Sequence, residues 1–155
     1  IGNGVSNYTA QNLGAQKIER VREGRKAGIR LVWMIALPLT LIYFFCGKWL
    51  VLIFMDSPSR QALQTGIEIL RILSPFYFTI SAKLTTDGVL RGAGMMHQFM
   101  TATLTAVVLR VGFAKLLSGV FGPLGIWLAW PIGWFAGVAI SIFFYRRGRW
   151  AEQTF

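Results

Sequence analysis

Residues 31–47, LVWMIALPLTLIYFFCG, carry no charge, and after Lys48 the run resumes as WLVLIFM to Met55. About 20 apolar residues suffice for a helix to cross the hydrocarbon core of a bilayer, so 29–55 is long enough to span one with tilt. Pro38 lies inside this segment and is expected to kink it, a defect that neighbouring helices tolerate. Three further candidates follow. The segment 66–90 is interrupted by Glu68, Arg71, Lys83 and Asp87; its uncharged stretch covers only 72–82, with Pro75 expected to bend it. The segment 95–118 is uncharged to Leu109 and then holds Arg110 and Lys115, whereas 124–145 is uncharged throughout. DSPSR at 56–60 and FGPLG at 121–125 read as turns between spans. Composition agrees, since the chain is 54% hydrophobic and only 14% charged, against the roughly one quarter usual for soluble domains. The expected fold is all-α, a polytopic membrane helical bundle.

The remaining charge is clustered and sums to +10. Lys17, Arg20, Arg22, Arg25, Lys26 and Arg30 precede the first span, Arg91 follows the second, and Arg146, Arg147 and Arg149 follow the fourth. These ten face three on the opposite side, Lys48, Arg60 and Lys115. Retention of Lys and Arg in cytoplasmic loops then predicts a multi-pass protein of the plasma or inner membrane, with the basic loop 15–28 and the tail 146–155 cytoplasmic. The same excess predicts attraction to anionic membrane lipid rather than to nucleic acid. GNG at 2–4 is only part of a dinucleotide fingerprint, and no G-K-[ST] suggests a P-loop. Cys46 is the sole cysteine, which excludes an intrachain disulfide and a cysteine metal site. With neither a nucleophile elbow nor paired carboxylates, no catalytic, cofactor-binding or metal residue is expected, and no enzyme. Residues 1–14 read as the end of a preceding helix, so the chain is expected to be a piece of a longer protein.

Four stretches then carry a resemblance. NYTAQNLGAQKIERVREG at 7–24, with Gln11, Asn12 and Gly14, resembles the helix-end and cytoplasmic-loop signature of the multidrug and toxic compound extrusion (MATE) transporters. TTDGVLRGAGMMHQ at 85–98 is similar to their LRGAG segment, here Leu90, Arg91, Gly92 and Gly94. VVLRVGFAKLL and GPLGIWLAWPIGW resemble the last two helices of that family, in the right order. The resemblance implies that residues 1–14 end the eighth helix of a twelve-helix transporter and that the four spans are helices nine to twelve. This would be a partial C-terminal lobe whose partner, the N-terminal lobe of the same chain, lies elsewhere. Gly14 is expected to terminate its helix, as glycine does just past a helix end.

Ionisable groups at membrane depth face a bundle interior or a wet cavity by default. Phe76, Ile80, Lys83 and Asp87 recur at spacings of four, three and four, so they share a helix face, and with Tyr77 and Arg110 they form the candidate cavity lining or polar network. Lys83 lies about 12 Å from Arg91 along the axis, so it either lines a pathway or snorkels to the inner headgroups. Asp87 is expected to pair with Lys83 or Arg91, and Glu68 with Arg71. Arg110 needs a polar partner, His97 reads as an interfacial residue, and Trp49, Trp127, Trp130, Trp134 and Trp150 lie mostly toward span ends.

The resemblance implies a secondary antiporter that exports small organic drugs or toxins against sodium ions or protons by alternating access. Some branches of the family hold a cation-binding acid about three turns before the LRGAG arginine. Here that place is Thr79, Ile80 and Ser81, so no sodium site transfers, and a principal coupling carboxylate is expected outside this chain. The competing readings are a flippase for lipid-linked oligosaccharides in the same superfamily and a four-span scaffold or assembly protein.

Overall fold

The computed structural model describes residues 1–55 and 59–152, so the expected turn at 56–60 falls largely outside the described residues. Six α-helices follow in order: α1 (Gly2–Gly14), α2 (Ile18–Phe54), α3 (Arg60–Leu73), α4 (Tyr77–Gly92), α5 (Met96–Phe121) and α6 (Pro123–Arg146). A 3-10 turn, Ser74–Phe76, joins α3 to α4, and another, Arg149–Ala151, follows α6. The chain is all-α among the described residues. Three helices, α2, α5 and α6, are each long and apolar enough to cross a membrane.

The first span and the basic stretch before it are one helix. Only Ala15 to Lys17 interrupt the helices there, and α2 then runs 37 residues without a break. Neither Gly24 nor Gly28 ends it. Instead they bring α2 against its neighbours: a Cβ at Gly28 would sit 2.9 Å from Thr85 Cγ2 and 3.0 Å from Val5 Cγ2. The helix also continues through Pro38.

The second candidate span is divided. Pro75 has no N–H to give to the helical ladder, and the chain tightens into the 3-10 turn at that point. The two halves are 14 and 16 residues long, about 21 and 24 Å, so neither alone matches the hydrocarbon thickness. Thr40 Oγ1 of α2 donates to the Ser74 carbonyl at 3.0 Å, which also accepts from the Tyr77 N–H, and so ties α2 to the break. The expected Glu68–Arg71 pair does not form: Glu68 accepts from Gln64 Nε2 at 3.3 Å, and the Arg71 guanidinium lies 5.8 Å from the Phe44 ring centroid. An i,i+3 pair is worth only a few tenths of a kcal/mol, too little to outweigh an aromatic face.

Helices α1 and α4 end in the same way. After α4, Met95 N–H donates to the Leu90 carbonyl and Gly94 N–H to the Arg91 carbonyl, with Gly94 at φ 72°, which is a Schellman cap. After α1, Lys17 N–H donates to Asn12 and Gln16 N–H to Leu13, with Gln16 at φ 57°. Gly14 is therefore the last helical residue, and the left-handed position expected of a glycine falls to Gln16, two residues later. The ends differ in packing. A Cβ at Gly92 would collide with the Ser6 carbonyl and lie 2.7 Å from Thr9 Cβ, so α1 and α4 touch backbone to backbone there. A Cβ at Gly14 would meet nothing within 4 Å.

Around these two ends lies the buried apolar cluster, including Leu13, Val21, Val89, Leu90, Met95 and Trp150. Trp150 is only 2% exposed, so it is a core residue rather than an interfacial one, whereas Trp49 at the far end of α2 is 68% exposed. Many large apolar side chains of α2, α5 and α6 face outward, as hydrocarbon-facing surfaces do.

Gly92→Ala should therefore destabilise the full-length protein by about 1–3 kcal/mol. Gly14→Ala should be neutral or stabilising by up to about 1 kcal/mol. Thermal unfolding in detergent separates the two, and equal shifts would contradict the packing difference.

Candidate functional site

Below the break at Ser74–Phe76 the residues of α4 turn toward α6. The Phe76 ring meets Phe135 edge-on at 5.9 Å between centroids. Tyr77 lies between Tyr43 of α2, at 5.9 Å, and Trp134 of α6, at 6.4 Å. Trp134 in turn meets Trp130 at 5.9 Å. The four residues that shared a face by spacing, Phe76, Ile80, Lys83 and Asp87, are thus directed into this helix bundle.

One turn deeper, Lys83 and Asp87 form an ion pair. The remaining N–H groups of Lys83 point to Thr103 Oγ1 of α5 at 3.5 Å and Ser141 Oγ of α6 at 3.4 Å. Ser141 donates to Asp87 Oδ1 at 2.6 Å. Asp87 is 7% exposed and Ser141 fully buried, so each oxygen of the carboxylate has a partner inside the bundle. The ammonium does not snorkel here. It is held by oxygen atoms from three helices, and its stem passes Gly137, where a Cβ would fall 2.8 Å from Lys83 Cε. Arg91 is not part of this network. Its guanidinium lies 5.2 Å from the Phe99 ring centroid, at the end where α4 stops.

Arg110 sits 11 residues before the end of α5, about 16 Å along its axis. It packs its guanidinium over Trp130 at 4.4 Å from the ring centroid. Among the described residues it has no ion pair or hydrogen bond. A charged side chain near a helix centre costs about 2.5–3.5 kcal/mol to insert in a bilayer, so such a residue faces protein or water. Arg110 and Lys83 line one cavity of about 220 Å³ with Ile80, Thr103 and Trp134. Gly133 makes this possible, since a Cβ there would fall 2.9 Å from Arg110 Cβ.

Three partners of this network escaped the sequence reading: Ser141, Thr103 and the small-residue ridge of α6. Gly125, Ala129, Gly133, Gly137 and Ser141 recur at intervals of four and are all buried. That periodicity was the available signal, because small residues at such spacing let helices approach closely in membranes.

At the basic end, Arg25 also has a specific role. Its Nε donates to Thr86 Oγ1 of α4 at 3.0 Å, and its guanidinium lies 4.5 Å from the Tyr145 centroid. Tyr145 stacks on Trp150 at 5.1 Å, and the Trp150 indole N–H donates to the Tyr145 carbonyl at 2.9 Å. Burial holds the Arg25 guanidinium below its ordinary pKa, partly offset by Tyr145. One arginine of the basic stretch thus ties α2 to α4 and α6.

The position where the resemblance places an acid is occupied by other bonds. Ser81 Oγ accepts from the Trp33 indole N–H at 2.8 Å and donates to the Phe78 carbonyl at 2.6 Å. Among the described residues no group of three His, Cys, Asp or Glu could hold a metal ion.

Removing one member of a buried pair strands the other charge. Asp87→Leu and Lys83→Met should each destabilise the full-length protein by about 3–5 kcal/mol, and the double variant Lys83→Met/Asp87→Leu should recover most of that loss. A double-mutant cycle on thermal unfolding checks the coupling, and strict additivity would contradict the pair.

The family model MatE matches residues 1–116. Over 150 residues the chain is 29% identical to the "Probable multidrug resistance protein YpnP" of Bacillus subtilis (strain 168), covering 96% of this chain and 33% of that protein. The chain therefore spans about a third of the length of the curated relative it matches. No solved structure matches it significantly. With residues 1–116 matched and three helices long and apolar enough to cross a bilayer, the chain belongs to the MatE family and is part of a multi-pass membrane protein.

Proposed function

We propose that this chain is part of the C-terminal lobe of a secondary antiporter that exports drugs or toxic organic compounds in exchange for sodium ions or protons. The observation that carries the reading is the family match over residues 1–116. The name of the relative concerns drug resistance, which favours export of small organic compounds over flipping of oligosaccharide lipids or a scaffold role. The reading is of a transporter rather than an enzyme. Alternating access would rock this lobe against an N-terminal lobe supplied by the rest of the protein.

The buried Lys83–Asp87–Ser141 network supports the reading, because ionisable groups at this depth belong to pathways or to the interfaces that move around them. Asp87 is already engaged by the ammonium, so the coupling carboxylate is assigned to the part of the protein outside this chain. The basic end, with the exposed Arg22, Lys26, Arg146 and Arg147, faces the cytoplasm and its anionic lipids, each such residue contributing about 1 kcal/mol of surface attraction.

In cells expressing the full-length protein, the Lys83→Met/Asp87→Leu variant should reach the membrane at unchanged level and lose at least about tenfold of its export rate, by the pathway argument. Unaltered export would leave the network a purely structural role. Assays under separate sodium and proton gradients identify the coupling ion. For orientation, single cysteines at Lys17 and Lys26 in a Cys46→Ala background should resist a membrane-impermeant maleimide in intact cells and react after permeabilisation. Labelling from outside would reverse the topology.

A further inference from the structure

The cavity between α4, α5 and α6 carries an unbalanced charge. Two cationic side chains line it, Lys83 and Arg110, and no carboxylate does. The charge of Lys83 is balanced by Asp87, and all three of its N–H groups are directed at Asp87, Thr103 and Ser141. Arg110 has five N–H donors, none of them hydrogen-bonded among the described residues, and its guanidinium lies over Trp130. The net surplus is one positive charge, carried by the guanidinium about 16 Å from the end of α5.

The rest of the lining sets the shape and polarity of what could balance it. Thr103 and Arg110 stand seven residues apart on α5, two helical turns, so the hydroxyl and the guanidinium project from the same face. The Thr103 oxygen already accepts from Lys83, which leaves its own proton free to donate. Ile80, Val107 and the Trp134 ring supply apolar walls. A volume of about 220 Å³ corresponds to about seven water molecules at roughly 30 Å³ each, and is smaller than the roughly 300–1,000 Å³ of drug-sized pockets. It therefore suits one ring with its acidic group, not a polycyclic drug.

We propose that this cavity is a binding site for a small aromatic monoanion, its carboxylate on Arg110 and Thr103 and its ring against Ile80, Val107 and Trp134. The site does not depend on the transport reading: it is a property of three helices of this chain, and binding is read without any ion gradient.

The test uses the full-length protein in detergent at low salt, with benzoate as probe and benzylammonium as the cation of matching shape, both followed by calorimetric titration. Benzoate should bind saturably and benzylammonium should not. Arg110→Gln should weaken benzoate at least tenfold, and Arg110→Lys should weaken it less. Val107→Phe, which fills the cavity and keeps every charge, should also abolish binding, and serves if Arg110→Gln does not fold. The proposal is overturned by absence of saturable benzoate binding, as expected if a carboxylate from outside this chain already pairs with Arg110. It is equally overturned by equal response to both probes, or by benzoate binding that survives Val107→Phe. Absence of any drug export by the unaltered full-length protein, with intact benzoate binding, would count against the transport reading alone.

Discussion

The charged interior depends on how closely α6 lies against α4 and α5, and residues with almost no side chain set that distance. At Gly133 and Gly137 a single added carbon would fall within 3 Å of the stems of Arg110 and Lys83. At Gly125, near the hairpin turn, it would fall 2.6 Å from the Ser118 amide nitrogen. In a bilayer, where lipid tails are as apolar as leucine, helices gain little by hiding apolar surface from one another. They gain by close contact and by satisfying polar groups internally. The α6 ridge supplies the first and, through Ser141, the second. A long side chain at these places would push α6 away and leave the Lys83–Asp87 pair without its third helix.

The two helix ends at Gly14 and Gly92 show how far local sequence goes. Each has a glycine and an alanine before the left-handed residue, and each closes with the same pair of backbone hydrogen bonds. The sequence announces a helix end in both cases. It does not say which glycine is needed for conformation and which for contact. At Gly94 the left-handed φ accounts for the residue, and at Gly92 the Ser6 carbonyl does. At Gly14 neither applies, and Gln16 bears the backbone cost of about 1–2 kcal/mol that a glycine there would avoid.

Much of the candidate site was legible for the same reason that spans are legible. Lys83 and Asp87 stand one turn apart, and charge in an apolar stretch is conspicuous, so the pair could be read from spacing alone. Ser141 and Thr103 could not, because each is an ordinary small polar residue 54 or 20 positions away, brought near only by packing. The partner of Arg110 was an aromatic face rather than a carboxylate, a choice set by where α6 passes α5. The uninterrupted α2 escaped for an opposite reason. Its charged first third looks like a loop by composition, yet nothing in it breaks a helix, and Val21 is completely buried against its neighbours.

That continuity has a mechanical consequence. A 37-residue helix is about 55 Å long, so a rotation of about 5° at one end carries the other through about 5 Å, close to one helical pitch. Its neighbour in the bundle is jointed: α3 and α4 meet at the Pro75 turn and lack the continuous ladder that would transmit torque between them. Side by side, the molecule holds an unbroken helix and one interrupted at Pro75, tied together through Arg25 and Thr86, Trp33 and Ser81, and Thr40 and Ser74. A tilt of α2 would thus carry the bonded α4 with it, and the mismatch would fall at the Pro75 turn, where the helical ladder lacks a donor.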